Sequence, residues 1–375
     1  MKGVAILGCT GSIGTSALRV LARHRDRFRV AALTAYGRKD QLAAQAAAFY
    51  PTFVSLVGGG HGRDDWADGK ESLVEAATRP DVDVVLNGIV GAAGLEATIA
   101  ALQAGKRVAL ANKESLVMAG ELVLRAAREG GGEIIPVDSE HSAVLQCLGG
   151  RPRSDLQRII LTASGGPFHS WDAERVHSAT VHEALNHPTW KMGRKISVDS
   201  ATLANKALEV IEAHFLFGLP FERIEAVVHP QSVIHSFVEL VDGSVLAQLG
   251  FPTMELPILY ALTYPDRLPD DGAVRFDPIG AGALTFEPVR TEVFPAFSLG
   301  VQAGRIGGTA PAAFNAANEV AVAAFLKGQM PFGRIAEVIE VVLRRQVVEP
   351  AESLATVLAA DHWARERAEE VIGWP

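Results

Sequence analysis

The stretch Val4-Ala5-Ile6-Leu7-Gly8-Cys9-Thr10-Gly11-Ser12-Ile13-Gly14 decides the fold of this 375-residue chain. An apolar run reads as a strand, and the glycine-rich turn after it opens a helix predicted over 15–24, which is the context a dinucleotide fingerprint requires. The spacing is G-x-x-G-x-x-G rather than G-x-G-x-x-G. The turn is therefore one residue longer, and Thr10 and Ser12 can add hydroxyl donors toward a pyrophosphate at the helix N-terminus. A turn that only packs strand on helix is the alternative.

The same rhythm continues outward. Short β-branched runs at 30–33, 54–57, 82–86, 108–110 and 134–137 alternate with alanine-rich helical stretches, the pattern of βαβ units around a mostly parallel sheet. Residues 1–148 therefore read as a nucleotide-binding domain. Segment 58–69, with Gly58-Gly59-Gly60, reads as a surface loop because no helical pattern opens on its glycines. A second domain, 149–264, places strands at 158–162, 226–229, 233–240 and 244–249 around one good helix, an α+β pattern. Residues 265–290, rich in Pro, Gly and Asp, read as a linker. From 291 to 375, helical periodicity over 310–327 and 335–345 and a closing segment at 355–372 predict a small helical bundle.

Hydrophobic residues make up 48% of the chain, charged residues 21%, and the formal net charge is −8. Full-size cores are expected, whereas neither nucleic acid nor an anionic membrane surface is an expected partner. Cys9 and Cys147 are too few for a disulfide framework or a zinc cage, which fits a reducing compartment. The first strand run starts within a few residues of Met1, leaving no room for an export signal, and apolar runs stop well short of a membrane span. The cytoplasm is the expected location.

Thr34-Ala35-Tyr36-Gly37-Arg38-Lys39 follows the second strand run and puts two cations where NAD-selective sites usually carry an acid. Arg38 and Lys39 suit a 2′-phosphate, so NADPH is the expected dinucleotide; a solvated basic turn is the alternative.

Other polar residues gather where strand runs end. In Ala111-Asn112-Lys113-Glu114-Ser115, Lys113 can hold a substrate hydroxyl or neutralise an oxyanion while Asn112 and Glu114 face the nucleotide. A helix cap with an exposed lysine is the alternative. Asp138-Ser139-Glu140 carries two carboxylates spaced by two, which project to one side of a strand end and invite Mg²⁺ or Mn²⁺, with Co²⁺ a further candidate. A capping Asp and Ser is the plainer reading.

Asp199-Ser200-Ala201-Thr202-Leu203-Ala204-Asn205-Lys206-Ala207-Leu208-Glu209 reads as one helix with Asp199 or Ser200 near its N-cap, placing Asn205, Lys206 and Glu209 on one face. Hydroxyl, amide and ammonium groups there suit a phosphate monoester, and Glu209 could complete a three-carboxylate set with Asp138 and Glu140. A solvated Lys206–Glu209 pair is the alternative. Ser164, in Thr162-Ala163-Ser164-Gly165-Gly166, can approach a phosphate closely. His187-Pro188-Thr189-Trp190-Lys191-Met192-Gly193-Arg194-Lys195 has the make-up of a lid, although a Trp packed permanently in a core remains an alternative. His229 and His235 sit at a spacing unsuited to a metal and read as structural.

Taken together, segments 8–14, 87–95, 111–116, 137–141, 162–168, 192–209, 229–236 and 314–319 resemble, in the same order, the motifs of the 1-deoxy-D-xylulose 5-phosphate reductoisomerase family. The expected class is α/β: an N-terminal Rossmann-like doubly wound sheet, a central α+β catalytic domain and a C-terminal helical bundle. The resemblance implies conversion of 1-deoxy-D-xylulose 5-phosphate to 2-C-methyl-D-erythritol 4-phosphate with NADPH and a divalent cation, in the non-mevalonate route to isoprenoids. It also implies a homodimer acting on this small phosphorylated sugar.

By the same resemblance Asp138, Glu140 and Glu209 are metal ligands, and Lys113, Ser139 and Glu140 meet the substrate backbone. Ser164, Ser200, Asn205 and Lys206 hold the phosphate end, and His187, Trp190 and Met192 lie on the lid. Lys113, Glu140 and His187 count as catalytic. Thr10, Gly11, Ser12, Ile13, Asn112, Glu114 and Gly193 match NADPH contacts, with the 2′-phosphate falling among Gly37, Arg38 and Lys39. The family commonly has Asn where Arg38 stands, and Lys191 occupies a lid position that is often small and polar. Two other readings stand beside this one: an NADP-dependent, metal-assisted dehydrogenase of a hydroxy acid, and a silent NADP-binding sensor. The sensor would lack a carboxylate or lysine of the set, and none is lacking.

Overall fold

A computed structural model of the chain describes residues 1–59 and 65–373. The loop expected at 58–69 thus lies partly outside the described residues; its later part carries a two-residue strand, Ala67–Asp68. The chain divides into two compact units. The first comprises Met1–Ser115, Val123–Ser142 and Thr253–Val274, and the second comprises Leu116–Leu122, Ala143–Pro252 and the chain from Arg275.

The first unit is built on seven strands: β1 (Lys2–Leu7), β2 (Phe28–Ala35), β3 (Phe53–Leu56), β4 (Ala67–Asp68), β5 (Val84–Asn87), β6 (Arg107–Leu110) and β7 (Glu133–Pro136). Every pairing is parallel, in the order β4-β3-β2-β1-β5-β6-β7. Val4, Ala5, Ile6 and Leu7 are all fully buried, as a strand covered on both faces must be. Strand order reverses between β1 and β5, and in such sheets the ligand crevice opens beyond the carboxyl ends of the strands at that point. Helix α1 (Ser12–Arg23) leaves β1 there. Helices α2 (Lys113–Gly130) and α3 (Ser139–Leu148) follow β6 and β7.

Residues 253–274 belong with this unit, although the sequence reading divides them between the second domain and the linker. The helix Glu255–Thr263 buries its residues from Pro257 to Thr263. On α1, Arg19 pairs with Glu255 at 2.7 Å and Arg23 with Asp270 at 2.6 Å. A hydrophobic helix without a polar face has to be enclosed, and these ion pairs fix where.

The second unit holds a mixed sheet of β8 (Leu156–Ala163), β9 (Ile224–Val228), β10 (Ile234–Leu240), β11 (Val245–Leu249) and β12 (Glu287–Pro288), ordered β11-β10-β8-β9-β12. Only β8 and β9 run parallel. Strand β12 and a short helix, Pro278–Ala281, lie inside the stretch that reads as a linker. Helices α4 (Arg194–Ala201), α5 (Ala204–Phe217) and α6 (Ala310–Leu326) pack here with the closing helices Arg334–Arg345 and Leu354–Gly373. Phe168, just after β8, meets Phe332 edge-on at 5.1 Å, and both share one apolar cluster with Phe314 and Phe325. The C-terminal helices therefore share the core of the sheet region, and burying their apolar faces does not require a bundle of their own.

Candidate active site

The turn after β1 has the shape a dinucleotide needs. Gly8 sits at φ +83°, which a side chain would strain, and a Cβ on Gly14 would lie 2.4 Å from the Cys9 Cα, so only glycine lets α1 pack this close to the turn. Gly11 is the N-cap of α1 and no side chain caps it. The first amide N–H groups of a helix have no partner within it, and a Cβ on Gly11 would meet only the Gly8 carbonyl, at 3.3 Å. Exposed Ser12 and half-buried Ile13 therefore open the helix as a cradle suited to a pyrophosphate, while the Gly11 amide donates to the Gly8 carbonyl at 3.0 Å and Thr10 is buried. Cys9 is buried, which pushes its thiol up to about 12 and leaves it inert. Gly37, Arg38 and Lys39 are exposed at the end of β2, and the Arg38 guanidinium reaches back to donate to the Thr10 carbonyl at 2.9 Å. A cation is thereby held at the rim of the cradle.

Across the switch point, Asn112 serves as a helix cap, and Lys113 beside it is buried rather than exposed. Asn112 caps α2, accepting from the Ser115 amide at 3.1 Å, and its amide nitrogen donates to Ile89 and Gly91 carbonyls, each at 2.9 Å, and to Glu114 at 3.2 Å. With Asn112 only 1% exposed, this side chain braces the 89–91 turn, a use of the amide that no spacing announces.

Lys113 and Asp138 form a pair at 2.6 Å, with the lysine side chain 7% and the aspartate 16% exposed. Asp138 directly precedes α3 and its carbonyl accepts from the Ser142 amide, while Ser139 and Glu140 open the helix and Ser139 donates to Glu140 at 2.6 Å. The two carboxylates are therefore set by a helix start rather than by strand alternation. The capping position and the candidate ligand position coincide here. His141, fully buried, places Nδ1 3.8 Å from Asp138.

The phosphate candidates all lie in the second unit. His187 Nδ1 accepts from the amides of Thr189 and Trp190 at 3.2 and 2.9 Å, so the ring proton sits on Nε2 and points to the Ser164 hydroxyl at 3.0 Å. Burial pulls the His187 pKa down to about 4, so the ring is neutral at physiological pH. Gly166 lies against Ser200: a Cβ there would sit 2.6 Å from the Ser200 carbonyl. Lys206 reaches the Thr162 carbonyl at the end of β8 at 2.5 Å and pairs with Glu209, which Asn205 also meets. Lys206 is 3% and Glu209 1% exposed, so this is not the solvated pair of the plainer reading.

One expectation is corrected. The stretch from Asp199 to Glu209 is two helices, α4 and α5, broken at Thr202-Leu203 with Leu203 in the left-handed region at φ 58°. Asp199 and Ser200 therefore close α4 rather than capping a helix, and Asn205 and Lys206 occupy the first turn of α5. The sequence reading also passes over what holds Asp199. Its carboxylate, 1% exposed, accepts from Asn318 of α6 at 2.8 Å and pairs with Lys195 at 3.0 Å. The only signal for it is an amide standing in the alanine-rich run of α6.

The lid candidate carries no helix or strand over 187–193, and its last residues, Arg194 and Lys195, open α4. Trp190 is half-buried with its ring 6.3 Å from that of His235, Met192 is half-buried, and exposed Gly193 is the N-cap of α4. His229 is structural: Nδ1 meets the Thr285 carbonyl and Nε2 accepts from the amides of Val233 and Ile234.

A parallel sheet with an uncapped glycine turn at its switch point and a cation on the rim of that turn suits a nicotinamide-dinucleotide-dependent oxidoreductase. Profiles described as 1-deoxy-D-xylulose 5-phosphate reductoisomerase, its C-terminal domain and the DXP reductoisomerase C-terminal domain match residues 4–120, 134–217 and 249–367. The chain belongs to the 1-deoxy-D-xylulose 5-phosphate reductoisomerase family.

It is 50% identical to the enzyme of that name from Symbiobacterium thermophilum, over 98% of each chain, and 50% identical to that from Ralstonia nicotianae, over 99% of this chain and 98% of the relative. The Zymomonas mobilis enzyme in complex with NADPH superposes with a TM-score of 0.92 at 42% identity, covering 100% of this chain and 99% of that one. A crystal structure of DOX-P reductoisomerase with NADPH, fosmidomycin and magnesium gives a TM-score of 0.93 at 40% identity, covering 99% and 98%.

Proposed function

We propose that this protein converts 1-deoxy-D-xylulose 5-phosphate to 2-C-methyl-D-erythritol 4-phosphate, by rearrangement and then reduction, with NADPH and a divalent cation. The observation that carries this reading is the likeness, over nearly the whole of both chains, to a structure that holds NADPH, fosmidomycin and magnesium.

The cradle at Thr10–Ile13 fits a dinucleotide by its uncapped helix start, and the proposed cation ligands Asp138, Glu140 and Glu209 offer only oxygen, which suits Mg²⁺ or Mn²⁺, with Co²⁺ a further candidate. When bound, the cation supplies polarisation of the substrate carbonyl and NADPH supplies the hydride. Lys113, its ammonium beside Asp138, neutralises charge on a substrate oxygen, and Ser139 orients a substrate hydroxyl.

Ser164, Ser200, Asn205 and Lys206 hold the phosphate, and His187 donates to it through Nε2–H. Trp190 and Met192 cover the substrate and exclude water, while Gly193, Asn112 and Glu114 border the nicotinamide side. Arg38 and Lys39 pair with the 2′-phosphate, with Gly37 leaving room beside them. Binding energy from the phosphate, remote from the bonds that change, orients the reacting carbons.

The protein acts in this reading as a cytoplasmic homodimer. Support for self-association is the edge strand β11, which on one side pairs with no strand among the described residues and whose neighbourhood exposes Val241, Val245 and Leu249. Among the described residues no helix is long and apolar enough to cross a membrane.

The test is NADPH oxidation with the phosphorylated ketose, with and without a chelator, with analysis of the carbon skeleton of the product. A branched polyol phosphate formed only with the cation supports the reading. A straight-chain product points to the metal-assisted dehydrogenase alternative, absence of any turnover points to the silent NADP-binding sensor, and turnover indifferent to chelation removes the cation from the reading.

A further inference from the structure

Tyr36 is 79% exposed, a high value for a large aromatic at the end of a buried strand. Its place is defined by its neighbours. The Tyr36 carbonyl accepts from the Gly58 amide at 2.8 Å, beyond the end of β3. A Cβ on Gly58 would stand 3.4 Å from Cε1 of the ring, so one edge of the ring rests on bare backbone. Two residues on, Arg38 turns back to the Thr10 carbonyl at the rim of the pyrophosphate cradle. An exposed aromatic ring therefore stands at the carboxyl end of β2, next to the turn that carries the cations.

In a doubly wound sheet the dinucleotide crosses the switch point. Its pyrophosphate lies on the first helix N-terminus, and the adenosine half extends toward the end of the second strand. That is the end of the sheet where Tyr36 stands. Aromatic side chains bind bases through their faces, and loss of one such stack weakens binding by about 1–3 kcal/mol. We infer that Tyr36 is the adenine platform of the cofactor site, stacking its ring on the base while Arg38 and Lys39 take the 2′-phosphate. The inference rests on the NADPH reading above and adds to it a contact with the base itself. It also accounts for Gly58, where any side chain would intrude on the Tyr36 carbonyl, at 2.4 Å.

The experiment compares the full-length parent, Tyr36→Ala and Tyr36→Phe in two binding titrations, one following nicotinamide fluorescence with NADPH and one following heat with adenosine 2′,5′-bisphosphate, which lacks the nicotinamide. In Tyr36→Ala both dissociation constants are expected to rise by about tenfold, while Tyr36→Phe stays within about twofold of the parent. Unchanged affinity for the adenosine fragment in Tyr36→Ala overturns the stacking role even if NADPH binding falls. Equal losses in Tyr36→Phe and Tyr36→Ala overturn it too, because the ring would then not be what matters. Failure of the parent itself to bind NADPH removes the cofactor reading instead, a result distinct from either.

Discussion

At His187 the chemistry depends on which nitrogen carries the proton. Two backbone amides aim at Nδ1, so adding a proton there would set donor against donor, and burial opposes the charge as well. The folded pKa of about 4 lies below the unfolded value near 6.5, so the folded state binds fewer protons between them. This contribution to stability is complete above about pH 6.5 and is lost as pH falls through about 4. Against His187→Asn, which keeps an acceptor for the amides, the parent is expected to lose melting temperature faster over that window and to match the variant's slope above it. Thermal melts at a series of pH values measure the difference.

Arg38 gives a second residue-scale expectation. Because its guanidinium stands at the cradle rim, Arg38→Ala should raise the KM for NADPH by about tenfold or more and leave that for NADH nearly unchanged. Equal changes in steady-state assays with the two cofactors would remove the 2′-phosphate role.

Among the elements, the break between α4 and α5 shows where the sequence stops being readable. Apolar periodicity runs through Ala201-Thr202-Leu203-Ala204 without glycine or proline, and a single helix is the natural reading. Yet Leu203 is held left-handed, a conformation that costs a residue with a side chain about 1 kcal/mol or more, and its burial at 3% shows that packing outweighs the cost. Tertiary context of that kind leaves no local mark. By contrast β1, the glycine turn and α1 were legible because sheet, turn and helix each impose their own residue types on consecutive positions. The tie from Asp199 to Asn318 and Lys195 fastens α4 to α6 behind Ser200. Removing the carboxylate in Asp199→Ala is expected to cost about 1–3 kcal/mol in urea denaturation, because buried Asn318 loses its acceptor. Asp199→Asn, which retains an acceptor for Asn318, should recover part of that loss.

For the whole molecule, the chemistry was more legible than the partition of the chain. Asn112, Lys113, Asp138 and Glu209 announce themselves as polar groups at strand ends or in apolar surroundings, whereas assignment of 253–274 depends on contacts over more than two hundred residues. Arg19 and Arg23 give no sequence sign that Glu255 and Asp270 are their partners. A fragment of residues 1–148 should therefore show no cooperative thermal transition, and the same fragment joined by a flexible linker to 253–274 should regain one, as circular dichroism can record.

The return of that segment also sets a timetable for synthesis. A growing chain acquires its nucleotide turn almost at once, but the unit that carries the turn lacks its final residues until Val274 has left the ribosome, after all but the last strand of the other sheet. The part of the protein that begins first thus stays unfinished while most of the other unit's sheet is made, and premature termination anywhere before that point would leave a nucleotide site with no completed scaffold beneath it.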